Sequence, residues 1–315
     1  MLLAGSAGML AGQPETVIKV DVNLVRVLAT VKNRAGQLVG ALNKEDFQIY
    51  DNGALQEIAV FERRTDQPLS VALLIDVSGS TAKDLKLETD SAFEFLQALL
   101  AESNPQDRVA LYSFDDTVRL VQDFTHNITA LDAALKRVHG SAGTSLYDAI
   151  WLAATEGLEM REGRKVIVVV SDGGETTSMK NSHQALAAAQ MANVLMYPVV
   201  VLPIMNNSGR NTGGENALTF MAQGTGGRPF FPQLGAQLDK AFADIILELR
   251  TEYLLGFYPR GEPLTRDRFH KLEVRVKSPE LQVSARNGYY GDAESGSGSP
   301  DTRISVDPRA ARKKK

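Results

Sequence analysis

Five oxygen-bearing side chains stand at positions of this sequence where they could bind one metal ion. They are two carboxylates and three hydroxyls: Asp76, Ser78, Ser80, Thr144 and Asp172. Ligation by oxygen alone, in a roughly octahedral arrangement, suits a hard divalent cation. The residue types therefore predict a site for Mg²⁺ first, with Mn²⁺ or Ca²⁺ as alternatives.

These side chains would lie together if the apolar segments around them formed one parallel sheet. Short continuous apolar runs lead into Asp76 and Asp172, and such runs are typical of strands that are covered on both faces. Amphipathic helical patterns separate the runs over residues 67–250, which favours an α/β fold with a doubly wound, mostly parallel sheet. Ligands bind outside the carboxyl ends of the strands in such sheets, so we expect the polar loops to meet at that edge.

The order of these residues resembles a known binding motif. The run DVSGS at residues 76–80, followed by Thr144 and then Asp172, resembles the metal-ion-dependent adhesion site of von Willebrand factor type A (VWA) domains. The flanking segments are similar to those of a bacterial VWA-related group described from acidobacteria, so that the resemblance covers about Val17 to Tyr290. It implies a Rossmann-like VWA domain with an intact adhesion site.

The resemblance also implies a role for each residue of the site. The hydroxyls of Ser78, Ser80 and Thr144 would contact the metal directly. Asp76 and Asp172 would supply negative charge, either directly or through water. The remaining coordination position would be left for an Asp or Glu carboxylate of a partner protein.

The rest of the chain is predicted to form a second, β-rich part. We predict a signal-like or disordered tail at 1–14, an N-terminal β segment at 15–66, the VWA domain at 67–250, a C-terminal β segment at 251–291 and a disordered tail at 292–315. Neither β segment is long enough to bury a core alone. We therefore expect the two to pair into a small β-sandwich that carries the α/β domain. Asn52-Gly53 between apolar runs predicts a hairpin, and 281–290 is predicted to be one strand.

Composition excludes several classes of protein. The chain of 315 residues has no cysteine, which excludes disulfides and thiolate metal sites. Its net charge of -4 and the lack of a basic stripe argue against nucleic acid as a partner. No apolar stretch reaches the roughly 18 residues that span a bilayer. The apolar start of the sequence is similar to part of a secretory signal, which predicts export to the periplasm or the extracellular space, with the cytoplasm as the alternative.

The favoured function is a metal-dependent protein-binding module, for adhesion or assembly, rather than an enzyme. Two alternatives stay open: a metal-assisted phosphoesterase or hydrolase, and a structural domain whose metal site is unused. A phosphotransferase of the haloacid dehalogenase type would need a carboxylate where Ser78 stands. We predict that Asp115 and Asp116 form a solvated turn, with a supporting role at the metal site as the alternative, and that Glu175 faces solvent.

Overall fold

The computed structural model describes residues 24–63, 67–81, 83–101, 104–202, 211–260 and 268–291. The predicted tails at 1–14 and 292–315 lie outside these residues. The strands are β1 (Val25–Asn33), β2 (Phe47–Asp51), β3 (Ala54–Gln56), β4 (Ile58–Arg63), β5 (Leu69–Asp76), β6 (Arg108–Phe114), β7 (Val118–Thr125), β8 (Arg164–Ser171), β9 (Val194–Val200), β10 (Tyr253–Phe257), β11 (Phe269–Val276), β12 (Leu281–Ala285) and β13 (Gly288–Tyr290).

The α-helices lie between the strands of the middle part of the chain. They are α1 (Leu85–Ala101), α2 (Ile128–Leu135), α3 (Leu146–Leu152), α4 (Ser182–Met191), α5 (Thr212–Thr225) and α6 (Ala236–Leu249). A π-helix over Ala153–Leu158 continues α3. Across the residues that the structure describes, none of the helices has both the length and the apolar character needed to cross a membrane.

A five-stranded sheet forms the centre of the α/β part, with the strand order β7-β6-β5-β8-β9. Strands β6, β5, β8 and β9 run parallel, and only the edge strand β7 pairs antiparallel. Every residue of β5 is buried, as expected for a central strand that is covered on both faces. The predicted α/β fold with a mostly parallel sheet is therefore confirmed.

Alternate residues of β5 point into two separate apolar cores. Val71, Leu73 and Ile75 pack with residues of α1, α2 and α6 on one face. Ala72 and Leu74 pack with residues of α3, α4 and α5 on the other. Helices on both faces leave the carboxyl ends of the parallel strands as the open edge. Two of the loops that carry the predicted site begin there, after β5 and after β8, and the loop of Thr144 lies between α2 and α3.

Strands from the two ends of the described chain pair with each other. Two four-stranded sheets have the orders β12-β1-β10-β4 and β13-β11-β2-β3, and residues of both contribute to one apolar core. Buried polar contacts also join the two ends: the Tyr289 hydroxyl donates to Asp51 Oδ2 at 2.8 Å, and His270 Nδ1 lies 3.1 Å from Asp51 Oδ1.

Two local predictions for this part have different outcomes. The hairpin at Asn52-Gly53 is confirmed, because both residues have positive φ, at 48° and 85°, and β2 pairs with β3 across them. The prediction of one strand over 281–290 is wrong. The chain forms β12 in the first sheet and β13 in the second, so it crosses between sheets within that segment.

Candidate metal centre

The first loop of the site begins at Asp76, the last residue of β5, and this carboxylate holds it in place. The side chain is fully buried, and its Oδ1 accepts a hydrogen bond from the backbone N–H of Ser78 at 2.9 Å. Its Oδ2 accepts one from the hydroxyl of Ser171, at the end of β8, at 2.6 Å. Asp76 therefore connects its own loop to the neighbouring strand end.

The hydroxyl groups of Ser78 and Ser80 lie side by side in this loop. Their Oγ atoms are 3.1 Å apart; Ser78 is buried and Ser80 is exposed. This is a hydrogen-bond distance, and it also matches the spacing of metal ligands. Two adjacent ligands at about 2.1 Å from an octahedral Mg²⁺ lie roughly 3 Å from each other.

The second loop places Thr144, which is buried, against the third loop. The backbone N–H of Thr144 donates to the hydroxyl oxygen of Thr176 at 2.9 Å. Its carbonyl oxygen accepts hydrogen bonds from the backbone N–H groups of Thr176 and Thr177, at 2.9 and 3.2 Å. Backbone contacts therefore fix the second loop relative to the third.

The third loop begins at Asp172, directly after β8, and its side chain is half-buried. Its Oδ1 accepts a hydrogen bond from the backbone N–H of Gly174 at 2.8 Å. A Cβ atom on Gly174 would lie 3.0 Å from Asp172 Oδ1 and 3.5 Å from Thr144 Oγ1. The carboxylate and the hydroxyl thus approach the same point, and the missing side chain of Gly174 keeps the space between them open.

Asp115 supports the second loop, contrary to the prediction that it belongs to a solvated turn. Its side chain is buried, and Oδ2 accepts a hydrogen bond from the backbone N–H of Ser141 at 3.1 Å. Its carbonyl oxygen accepts one from the N–H of Ser145 at 2.6 Å. Arg119 lies 2.9 Å from Oδ1 and balances the charge. Asp115 therefore anchors the chain on both sides of Thr144, at Ser141 and at Ser145.

The prediction that Glu175 faces solvent is also wrong. Its Oε2 accepts hydrogen bonds from the backbone N–H of Tyr147 at 3.1 Å and from the Ser178 hydroxyl at 2.7 Å. Its Oε1 accepts one from the backbone N–H of Ser178 at 2.8 Å. Glu175 thus satisfies a free N–H group in the first turn of α3, as capping side chains do, and connects that helix to the third loop.

Among the described residues, the carboxylates of the candidate site have no positively charged partner. Burial raises the pKa of Asp76 to about 6, against the lowering effect of hydrogen bonds from Ser171 and Ser78, and the charge of Asp172 raises it further. In the described residues, no lysine, arginine or histidine forms an ion pair with Asp76 or Asp172. A cation from solution would relieve this repulsion.

Sequence reasoning missed a third acidic residue, Glu88, on α1. It is only 2% exposed, and its Oε2 has no hydrogen-bond partner among the described residues. Burial raises the pKa of Glu88 to about 8, with further contributions from the charges of Asp76, Asp84 and Asp172. The signal in the sequence was the position of Glu88 on the apolar stripe of an amphipathic helix.

The five predicted residues provide a donor set that fits a hard divalent cation, because all five donors are oxygen. Contacts between the loops run from Asp76 to Ser171 and from Thr144 to Thr176. Within the described ranges, no three histidine or acidic side chains are arranged to hold an ion together. A site here would therefore depend on hydroxyls as well as carboxylates.

Residues 71–175, about a third of the chain, match the family model of the von Willebrand factor type A domain. The chain contains a VWA domain. The matched range includes all five predicted site residues. No curated protein matches the chain.

Solved structures with similar folds come from several sources. BatB, a conserved hypothetical protein from Bacteroides thetaiotaomicron, is 17% identical, with a TM-score of 0.45, over 57% of this chain and 98% of that one. The vWF domain of the type V pili tip protein Mfa5 from Porphyromonas gingivalis is 16% identical, with a TM-score of 0.48, over 57% and 94%. Proximal thread matrix protein 1 from the mussel byssus is 15% identical, with a TM-score of 0.49; 62% of this chain aligns with 49% of that one.

Proposed function

We propose that this chain is a metal-dependent protein-binding module whose VWA domain captures a carboxylate of a partner protein. Its adhesion site would hold Mg²⁺, with Mn²⁺ or Ca²⁺ as alternatives, through Asp76, Ser78, Ser80, Thr144 and Asp172. When bound, the ion supplies a coordination position that an Asp or Glu side chain of the partner fills. The contact would be charge-assisted and directional.

The observation that supports this proposal is the balance of charged and neutral donors at the site. Two carboxylates, which have no ion pair to a cation in the described part of the chain, accompany three neutral hydroxyls. Hydroxyl donors leave a divalent ion short of negative charge, so that an incoming carboxylate is attracted. A site built from carboxylates alone would satisfy the ion and remove that attraction.

The residues around the site hold its donors before any partner arrives. Asp76 is fixed by Ser78 and Ser171, and Asp172 by the backbone of Gly174. Asp115 fixes the loop of Thr144. Donors that are already ordered reduce the conformational entropy that is lost on binding. A single such contact still gives modest affinity, because the metal face must lose water.

Hydrolysis is less well supported than binding. A hydrolase needs a base in contact with its nucleophile. In the part of the chain that the structure describes, the Ser78 hydroxyl contacts that of Ser80 and no histidine contacts it. His139, the closest histidine in sequence to Thr144, is exposed, and its Nδ1 lies 2.7 Å from the carbonyl oxygen of Arg137.

Two further parts of the proposal concern the whole chain. The two four-stranded sheets, with their common core, would form the predicted β-sandwich that carries the VWA domain.

The chain would be exported to the periplasm or the extracellular space, as the apolar start of the sequence suggests. Cell fractionation of a tagged full-length chain tests export; recovery in the cytoplasm alone would contradict it.

Thermal unfolding in Mg²⁺ and in EDTA tests the metal site. We expect millimolar Mg²⁺ to raise the melting temperature of the wild type, because a ligand that binds only the folded state stabilises it. Asp172→Asn keeps the acceptor for Gly174 but removes the charge, and should lose this shift. Asp123→Asn is the matched control, since Asp123 is exposed and accepts a similar backbone bond from Phe124 at 2.6 Å. A wild type that melts identically in Mg²⁺ and EDTA would contradict the proposal.

Carboxylate capture needs a separate test. Mn²⁺-loaded protein enhances water-proton relaxation, and acetate should reduce the enhancement if it takes a coordination position of the ion in place of water.

A pull-down from native extract in Mg²⁺ and in EDTA, with the wild type, Asp172→Asn and Asp123→Asn, then tests for a protein partner. We expect the wild type and Asp123→Asn to capture a partner protein in Mg²⁺ but not in EDTA. Asp172→Asn should capture it in neither. Equal capture in every condition would contradict the proposed function.

A further inference from the structure

Helix α1 begins after the first loop and carries a carboxyl group on its buried face. The buried positions recur at helical spacing and are otherwise apolar or small: Glu88, Ser91, Ala92, Phe95, Leu96, Leu99 and Leu100. A leucine would be the ordinary residue at the first of these positions. A buried carboxyl there costs free energy unless another group compensates it.

The surroundings of Glu88 provide no such compensation within the described residues. Its Oε2 has no hydrogen-bond partner there. The start of α1 is tied to the first loop, because the Glu88 N–H donates to the carbonyl oxygen of Asp84 at 3.1 Å and the Thr81 hydroxyl donates to that of Asp76 at 3.0 Å. The charges that act on Glu88 from this side are those of Asp76, Asp84 and Asp172, and all three are negative. Buried polar groups without a partner are rare in folded proteins, and those that occur often mark a place where an ion or an ordered water binds.

Two of those three acids, Asp76 and Asp172, belong to the proposed metal site. We propose that Glu88 is a third acidic residue of the metal centre, an outer-sphere carboxylate whose charge strengthens Mg²⁺ binding without contacting the ion. The inference rests on the proposed function. A direct contact is not assigned, because no three acidic or histidine side chains among the described residues could hold one ion together.

Burial raises the pKa of Glu88 to about 8, so the metal-free protein keeps this carboxyl protonated at neutral pH. A divalent cation would favour release of that proton to solution and would compensate all three carboxylates at once. A bound ion is often the largest charge in its site and reverses the effect that burial has on neighbouring acids. Residues beyond the direct ligands also tune metal affinity, and their substitution commonly weakens binding about 10- to 100-fold. The cost of burying Glu88 in the metal-free protein would thus be recovered as metal affinity.

The test measures the Mg²⁺ dissociation constant by titration calorimetry and the melting temperature in EDTA. Glu88→Gln keeps the shape of the side chain, and Glu88→Met fills the same core position without polar atoms. We expect both variants to bind Mg²⁺ at least about tenfold more weakly, while melting no lower than the wild type in EDTA. Glu94→Gln, an exposed position of the same helix, should bind Mg²⁺ like the wild type.

The outcomes separate this inference from the proposed function. If the wild type binds Mg²⁺ and Asp172→Asn does not, but both Glu88 variants bind like the wild type, the role of Glu88 is refuted and the metal site stands. If the Glu88 variants bind normally and melt lower in EDTA, Glu88 is a structural residue only. If the wild type binds no Mg²⁺, the proposed function fails and this inference fails with it.

Discussion

The two ends of strand β8 both lie beside buried carboxylates, but the protein treats them differently. Asp172 follows the last residue of the strand, near Asp76 and Glu88, where no ion pair to a protein cation is found in the described residues. At the other end, the first residue, Arg164, pairs with the buried Glu252 at 3.4 Å. A protein cation balances the buried carboxylate at one end of the strand, and the described residues supply none for the carboxylates at the other end.

The compensated end connects the α/β part of the chain to the strands that precede and follow it. Glu248, near the end of α6, accepts from Lys32 Nζ at 2.6 Å and from Arg228 Nε at 2.5 Å. Glu252 also accepts a hydrogen bond from the Tyr197 hydroxyl at 3.2 Å. Burial nevertheless raises the pKa of Glu252 to about 7, although the charge of Arg164 opposes this.

The difference indicates what each set of acids is for. A buried charge is costly in water-free surroundings, and removing its partner exposes that cost. Acids with their own arginine and lysine need nothing from solution, so they serve structure. Acids without a cation, placed beside hydroxyls at an open edge, are the ones that an ion from solution would stabilise.

The largest effect should come from removing a cation at the compensated end. Arg164→Met would leave Glu252 buried without a charge partner, and it would also remove the hydrogen bonds that Arg164 donates to the carbonyl oxygens of Leu249 and Gln67. We expect the free energy of unfolding to fall by about 3 to 5 kcal/mol, measured by urea unfolding in EDTA. Lys240→Met, at an exposed helix position, is the control. A loss equal to that of the control would show that the ion pair does not matter.

A second, smaller effect concerns pH. Glu252 is protonated in both states well below its unfolded pKa of about 4.5, and ionised in both well above the folded pKa of about 7. Between these values the folded state keeps a proton that the unfolded state releases, so the free energy of unfolding falls as pH rises. Glu252→Gln should remove this contribution, which is roughly 3 kcal/mol at most.

Urea unfolding of the wild type and Glu252→Gln in EDTA, at several values between pH 4.5 and 8, measures this contribution as the difference between the two profiles. The other buried acids are present in both proteins and cancel. Parallel profiles would mean that burial does not raise the pKa of Glu252 in solution.

The smallest effect on stability should come from the uncompensated end. The Ser80 side chain is exposed and its hydroxyl contacts Ser78, so Ser80→Ala should change the free energy of unfolding in EDTA by less than about 0.5 kcal/mol. Its Mg²⁺ dissociation constant should nevertheless rise, because one donor is lost. Ser278→Ala, at an exposed position outside the site, is the control; equal Mg²⁺ affinity in both variants would remove Ser80 from the proposed site.

Much of the fold followed from local patterns. The continuous apolar run before Asp76 predicted a central strand, and β5 is buried along its whole length. Asn52-Gly53 predicted the hairpin, because both positions need positive φ. The break between β12 and β13 was not predicted, since which sheet a short strand joins depends on partners far away in sequence.

The sequence by itself determined which side chains could bind a hard cation, and the order in which they follow one another along the chain: Asp76, Ser78, Ser80, Thr144 and Asp172. Only the tertiary structure decided how that set is supported. Asp115 holds the second loop through Ser141, 26 residues away, and Glu88 lost its contact with water through packing of α1. Burial and partners at long range determine the cost of a charge, and neither can be read from neighbours along the chain.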